Sequence, residues 1–266
     1  MIDFIKAKES FKEYLKDYDL ENGSIKLKVK HTYEVVKKSE YIAIGLGLDK
    51  ENIELAKIIA LLHDIGRFEQ IKEFNEFSDK NIEHAEFGVK VLFGEKFLIS
   101  KFVENRKYDN IINKSIYNHN KFKVEERLSD IELMHCNIIR DADKIDNFRV
   151  KQEDKFEDMF PKIYNKDTIN YETISQKVYE DFMQKKCIKL EDRKTIIDYW
   201  ICVIAFIFDL NFDISLKYVY EHNYIDILID RIEYQNNDTK QKMEDIRKCA
   251  KTYIRNKIKE EIKWKF

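Results

Sequence analysis

Leu55-Ala56-Lys57-Ile58-Ile59-Ala60-Leu61-Leu62-His63-Asp64-Ile65-Gly66-Arg67 is the stretch whose reading decides the fold. Its apolar side chains at 55, 58, 59 and 62 keep the three-to-four spacing of one helix face, and the run ends in two polar residues able to ligate or titrate. Asp49 stands where an N-cap belongs, Glu51 puts an anion in the first turn, and Gly66 suits a helix stop just past His63 and Asp64. The spacing therefore predicts a helix over 50–64 with a His-Asp pair at its end. From 66 to 80 the periodicity loosens, so a loop with a short helical turn is expected there, where loops line pockets.

The same spacing continues outward, as in Ile5, Phe11, Tyr14 and Leu15, and predicts further helices over 3–18, 25–47, 80–93, 108–118, 129–151, 170–185, 191–210, 213–233 and 238–263. Strand-like alternation is scarce, and six glycines with one proline are too few for a turn-dense sandwich or barrel. An all-α fold is expected, with enough apolar surface, at 44% hydrophobic and 13% aromatic, to bury a substantial core. Tyr199 to Phe208 is hydrophobic on every helix face and reads as a buried central helix, with a homodimer interface as the lesser reading. Pro161, in the irregular stretch 153–168, marks the expected boundary between a unit over 1–152 and a helical C-terminal extension over 153–266 packed on it.

Charge and cysteine usage exclude several classes. With 48 basic against 50 acidic side chains the formal charge is −2, so no global basic field invites nucleic acid, and a nuclease is not favoured. The last helix interleaves Lys251, Arg255, Lys257, Lys259, Lys263 and Lys265 with Glu260 and Glu261, which reads as a solvated face. The longest apolar run, Trp200 to Phe208, is about half of the ~20 residues a bilayer span requires. Residues 1–10 carry Asp3, Lys6, Lys8 and Glu9 without the apolar core of a secretion signal, so a cytoplasmic location is expected. Cys136, Cys187, Cys202 and Cys249 lie far apart without a CxxC pair and read as reduced packing thiols.

A lone His-Asp pair means little; spacing must supply specificity. The chain also holds His31 in Lys30-His31-Thr32, His84 in Glu83-His84-Ala85-Glu86-Phe87-Gly88, His119 in Tyr117-Asn118-His119-Asn120, and Asp143 in Asp141-Ala142-Asp143-Lys144-Ile145-Asp146. This order of His, His-Asp, two His and Asp resembles the HD superfamily of metal-dependent phosphohydrolases. Leu61 to Arg67 is similar to its apolar-His-Asp-Ile-Gly-Lys/Arg signature, and Arg140 to Asp146 to its terminal Ala-Asp-Lys segment. The resemblance covers residues 24–150. It implies that His31, His63, Asp64 and Asp143 hold one metal ion, that His84 and His119 extend this to a second, and that the Asp64 carboxylate bridges the two. Imidazole with carboxylate suits Fe, Mn, Co, Ni or Zn better than an all-oxygen magnesium site, and paired ions about 3.5–4 Å apart can activate water for phosphoryl transfer. Some members have His-His where this chain has His119-Asn120, and the GYP sequence of the cyclic-dinucleotide branch is absent, so neither a third metal nor that substrate is implied.

Each residue also has a plainer reading. His31 shares its face with Leu27 and Val35 and alone reads equally well as a core histidine; His84 reads as a surface helix residue and His119 as a loop histidine. Asp141 and Asp146 compete with Asp143. His135 lies two turns before Asp143, about 12 Å away by helical rise and beyond ligand reach, and His222 reads as a surface residue at a helix junction. Arg67 could grip a phosphate oxygen or pair with Glu69 or Asp79, and Lys144 could reach substrate or simply be solvated. Phe68, Phe74, Phe77 and Tyr117 would suit a nucleobase, although at helical spacing most such residues are core. The expected function is hydrolysis of a small phosphoester, a nucleotide first, by a metal-bound hydroxide, with Asp64 bridging and Arg67 and Lys144 neutralising phosphoryl charge. A diiron oxygenase on the same ligands and a non-catalytic nucleotide-sensing module are the rival readings.

Overall fold

The computed structural model describes residues 2–74, 79, 82–95, 97–160 and 164–264, with side chains as far as 258. Pro161, Phe77 and Lys265 lie outside the described residues. The described residues form helices joined by turns and irregular segments and contain no strand. None of their helices is long and apolar enough to cross a membrane. The chain divides into two compact units, at Asp146/Asn147 rather than at 152/153.

In the N-terminal unit, α1 (Phe4–Leu15) and α2 (Gly23–Gly45) pack with α3 (Lys50–Leu62), α4 (Ile65–Phe74) packs on α5 (His84–Phe93), and α5 on α6 (Asp109–Asn118). Local chemistry sets the helix starts: Asp3, Asn22 and Asp49 each accept a backbone N–H of the first turn. Phe11, Leu55, Ile58, Leu62, Phe68 and Ile116 are fully buried at its centre. Phe68 packs edge-on against Phe11, Tyr14 and Tyr18, so it is core and not a stacking platform.

The expected loop after Gly66 is instead helix α4. Gly66 is not a stop: it lies in the first turn of α4, and a Cβ there would sit 2.1 Å from the His84 carbonyl oxygen and 2.7 Å from the Gly88 nitrogen. Its missing side chain lets the backbones of α4 and α5 touch, so a packing requirement was read as a terminator. The chain turns between α3 and α4 without leaving helical geometry at His63.

Helix α7 (Asp130–Glu153) crosses the division, and residues 147 onward belong to the C-terminal unit. There Phe148 stacks on Tyr224, and Arg231 donates to the Lys151 and Asp154 carbonyls at the end of α7. These contacts explain why the unit begins before the irregular stretch. After the short α8 (Phe156–Met159) come α9 (Gln176–Met183), α10 (Ile196–Ile204), α11 (Asp213–Glu221), α12 (Tyr224–Asp230) and α13 (Asn237–Trp264). The helix expected over 170–185 is confined to α9, after a 3-10 turn at Ile169–Tyr171; that over 191–210 starts at Ile196 and ends in a 3-10 turn from Ala205. The single helix expected over 213–233 is broken by Asn223, which takes the left-handed conformation at φ 53° that Asn tolerates. In α10 every residue except Tyr199 is buried, as its all-round hydrophobicity predicts. All four cysteines are free.

Candidate metal centre

Six polar side chains converge in the N-terminal unit: His31 from α2, His63 and Asp64 from the α3–α4 junction, His84 from the first position of α5, His119 from the end of α6, and Asp143 from α7. Two triads, His31–His63–Asp64 and Asp64–His84–His119, each bring their ligand atoms within 4.8 Å of one another. The Asp64 carboxylate belongs to both. Its Oδ2 lies 3.7 Å from His31 Nε2 and 3.5 Å from His63 Nε2, while Oδ1 lies 3.6 Å from His84 Nε2 and 3.9 Å from His119 Nε2. Asp143 Oδ1 stands 3.1 Å from His31 Nε2. Donor atoms about 2.0–2.2 Å from a shared ion stand roughly 3–4 Å from each other, which is the spacing seen.

The other nitrogen of each ring explains the convergence. His63 and His119 each follow the last turn of a helix, where carbonyls lack intrahelical partners, and their Nδ1–H groups donate to Ala60 O at 2.7 Å and Ile116 O at 2.6 Å. His31 Nδ1 donates to buried Asp146 at 2.7 Å, and His84 Nδ1 to Asp79 at 3.0 Å. At His63, His84 and His119 a proton on Nδ1 leaves a lone pair on Nε2, so three lone pairs face inward, whereas His31 Nε2 carries a proton toward Asp143 at 3.1 Å that a metal ion would displace. His63 Nε2 is buried without a hydrogen-bond partner, and the Nε2 atoms of His84 and His119 face each other at 3.0 Å. A buried acceptor without a donor costs about 1–3 kcal/mol, and opposed lone pairs repel. A divalent cation removes both penalties, so the residues present fit a metal site, and the imidazole-carboxylate donors suit a transition metal.

The electrostatics agree. Burial holds His63, His84 and His119 below the ordinary imidazole range, keeping them neutral and able to ligate; Arg67 adds to the effect at His84, and His84 to that at His119. At His31, burial and Lys28 push the other way but are outweighed by Asp143 and Asp146, and its pKa rises to about 9. Against its own burial, Asp64 is held well below the usual carboxylate range, by Lys28 above all.

Arg67 lies beside this cluster with its fork on Asp79, NH1 at 2.9 Å and NH2 at 3.1 Å, so the ion-pair reading describes the structure. Asp79 also accepts from the His84 backbone N–H at 3.0 Å and thus ties Arg67 to His84. Lys144 is buried, its ammonium 3.5 Å from the Arg140 carbonyl. His135 is buried away from the cluster on Asn52, and His222 is exposed, donating to the Tyr218 carbonyl.

Sequence reasoning assigned no role to Lys28, Asp79 as an imidazole anchor, Asp146 as the partner of His31, or Arg140. Arg140 donates to the carbonyls of Asn118 and Lys121, on either side of His119, and so fixes that turn. Lys28 carried a signal, one turn before His31 on the same helix face.

A family model described as HD domain matches residues 29–147, which hold all six converging residues. Comparison with curated proteins and with solved structures gave no match. The family is a superfamily of metal-dependent phosphohydrolases, and its pattern and the His/Asp cluster coincide on the same residues. Over residues 29–147, then, this chain is similar to the HD-domain family, and the similarity falls on the residues that form the cluster.

Proposed function

We propose that this protein is a divalent-metal-dependent phosphohydrolase acting on a small phosphoester, with nucleotides as the substrate class. The observation that carries this reading is the buried, unpartnered Nε2 of His63 facing Asp64 within two triads that share that carboxylate. His31, His63, Asp64 and Asp143 are one ligand group, and Asp64, His84 and His119 the other. When bound, the ions acidify a water and neutralise phosphoryl oxygens. The chain's own residues do the rest. Asp146, Asp79 and the carbonyls of Ala60 and Ile116 hold each imidazole with its Nε2 directed inward. Arg67 presents a planar fork that exchanges the Asp79 carboxylate for phosphate oxygens of similar geometry, and Lys144 adds a second cation.

The test is a phosphatase and phosphodiesterase screen of anaerobically purified protein, with Mn, Co, Ni, Fe and Zn supplied in turn and nucleotides among the substrates. Hydrolysis that needs one of these ions, persists without oxygen and stops on chelation is expected. Turnover that consumes oxygen and accepts only iron would overturn the reading in favour of an oxygenase.

A further inference from the structure

Lys28 is a cation that the phosphohydrolase reading leaves unused, and it stands on the shared carboxylate. Its Nζ lies 2.7 Å from Asp64 Oδ2, with 19% of its side chain exposed against 3% for Asp64. The contact is one-sided. Oδ2 is the oxygen facing His31 and His63, whereas Oδ1 faces His84 and His119. An ammonium and a divalent cation at one buried carboxylate oxygen repel strongly, because water screens them poorly there.

We infer that Lys28 is an internal counter-cation that makes the two halves of the centre unequal: it competes with metal for the His31–His63 side and leaves the His84–His119 side open. This rests on the metal binding proposed above. The buried Asp64 carboxylate then has a partner whether or not an ion is bound, so the metal-free chain avoids an uncompensated buried charge. Ions enter the His84–His119 side first. The His31–His63 side fills only at concentrations that expel the ammonium.

Calorimetric titration of the chelator-treated full chain with Mn2+ alone tests this, together with thermal unfolding. The parent should show two classes of site. Lys28→Met should tighten the weaker class by about tenfold or more, lower the metal-free Tm by several degrees, and leave the Mn2+-saturated Tm unchanged within about 2 °C. In a His84→Ala background Lys28→Met should still tighten binding about tenfold, whereas in a His31→Ala background the change should stay under about threefold. Lys28→Gln should act in the same direction as Lys28→Met, and Lys28→Arg, which keeps the charge, should behave as the parent. Equal tightening in both backgrounds, or an unchanged metal-free Tm in both neutral variants, overturns the inference. If the parent takes up no Mn2+, the metal reading falls with it. If the parent takes up two ions and the neutral variants bind them as the parent does, only the role of Lys28 falls.

Discussion

Asp198 in the C-terminal unit is as thoroughly buried as Asp64 in the N-terminal unit, yet the two carboxylates have opposite surroundings. Asp198 accepts from Ser175 N and Oγ at 2.9 and 2.6 Å, from Lys194 N at 2.9 Å and from Thr195 N at 3.1 Å, and its own N–H donates to Thr195 Oγ1, completing a capping box. Both oxygens are engaged, and the side chain ties the start of α10 to the N-cap of α9. Asp64 has a single such donor, Lys28 Nζ at 2.7 Å, and otherwise meets four imidazole nitrogens at 3.5–3.9 Å, too far for hydrogen bonds and close enough for a shared ion. A buried carboxylate saturated by donors is architecture; one ringed by imidazole nitrogens at ligand spacing has the making of a site.

The sharpest way to break this contrast is to remove each carboxylate. Asp64→Ala should abolish hydrolysis and most bound metal, measured by metal analysis and turnover, because the remaining donors lose the group common to both triads. Next in size is the backbone contact that places His84: Gly66→Ala should cost roughly 3 kcal/mol or more in denaturant unfolding, while Gly88→Ala, whose new Cβ would find its nearest neighbours at 3.4 Å, should cost well under that. Asp198→Ala should cost about 2–3 kcal/mol by the same measurement and leave metal stoichiometry unchanged. Loss of metal in that variant would erase the distinction drawn between the two carboxylates. Asp79→Ala removes only the anchor of His84 Nδ1 and should weaken metal binding about 10- to 100-fold without abolishing it, as read by titration calorimetry.

The smallest effect is a pH dependence of the metal-free protein, in which the histidines act in opposite directions. His63, His84 and His119, with His135 lowered to about 4, bind fewer protons folded than unfolded, so their contribution is present above about pH 6.5 and is lost as pH falls below it. His31, raised to about 9, binds more protons folded; its contribution is complete below about pH 6.5 and is lost as pH rises through 9. Tm of the chelated protein should therefore peak near neutrality. His31→Asn should flatten only the alkaline limb.

The sequence made the ligands legible and their supports mostly illegible. His63-Asp64 stands out because an apolar helical run ends on it, and the other four residues because they recur in a fixed order on separate helices. What holds them depends on tertiary contacts that no local pattern encodes. Asp79 lies in the stretch where periodicity fades, yet it joins Arg67 to His84. Gly66 has the composition of a stop signal and the position of a close contact, a difference that appears only once α5 is packed beside it. In the C-terminal unit the all-apolar face of α10 was readable, whereas the break at Asn223 was hidden because one left-handed residue does not disturb the flanking spacing.

Burial of the cluster also sets a clock. His63 and Asp64 are almost sealed, and among the six converging side chains Asp143, at 21%, is the most open to solvent. Ion exchange through so narrow an opening is slowed and runs faster whenever the surrounding helices open locally, so its rate follows the opening frequency as well as the affinity. Chelation should then proceed slowly at ambient temperature and accelerate in sub-denaturing urea, and two preparations of equal affinity can differ in occupancy simply by their history of exposure.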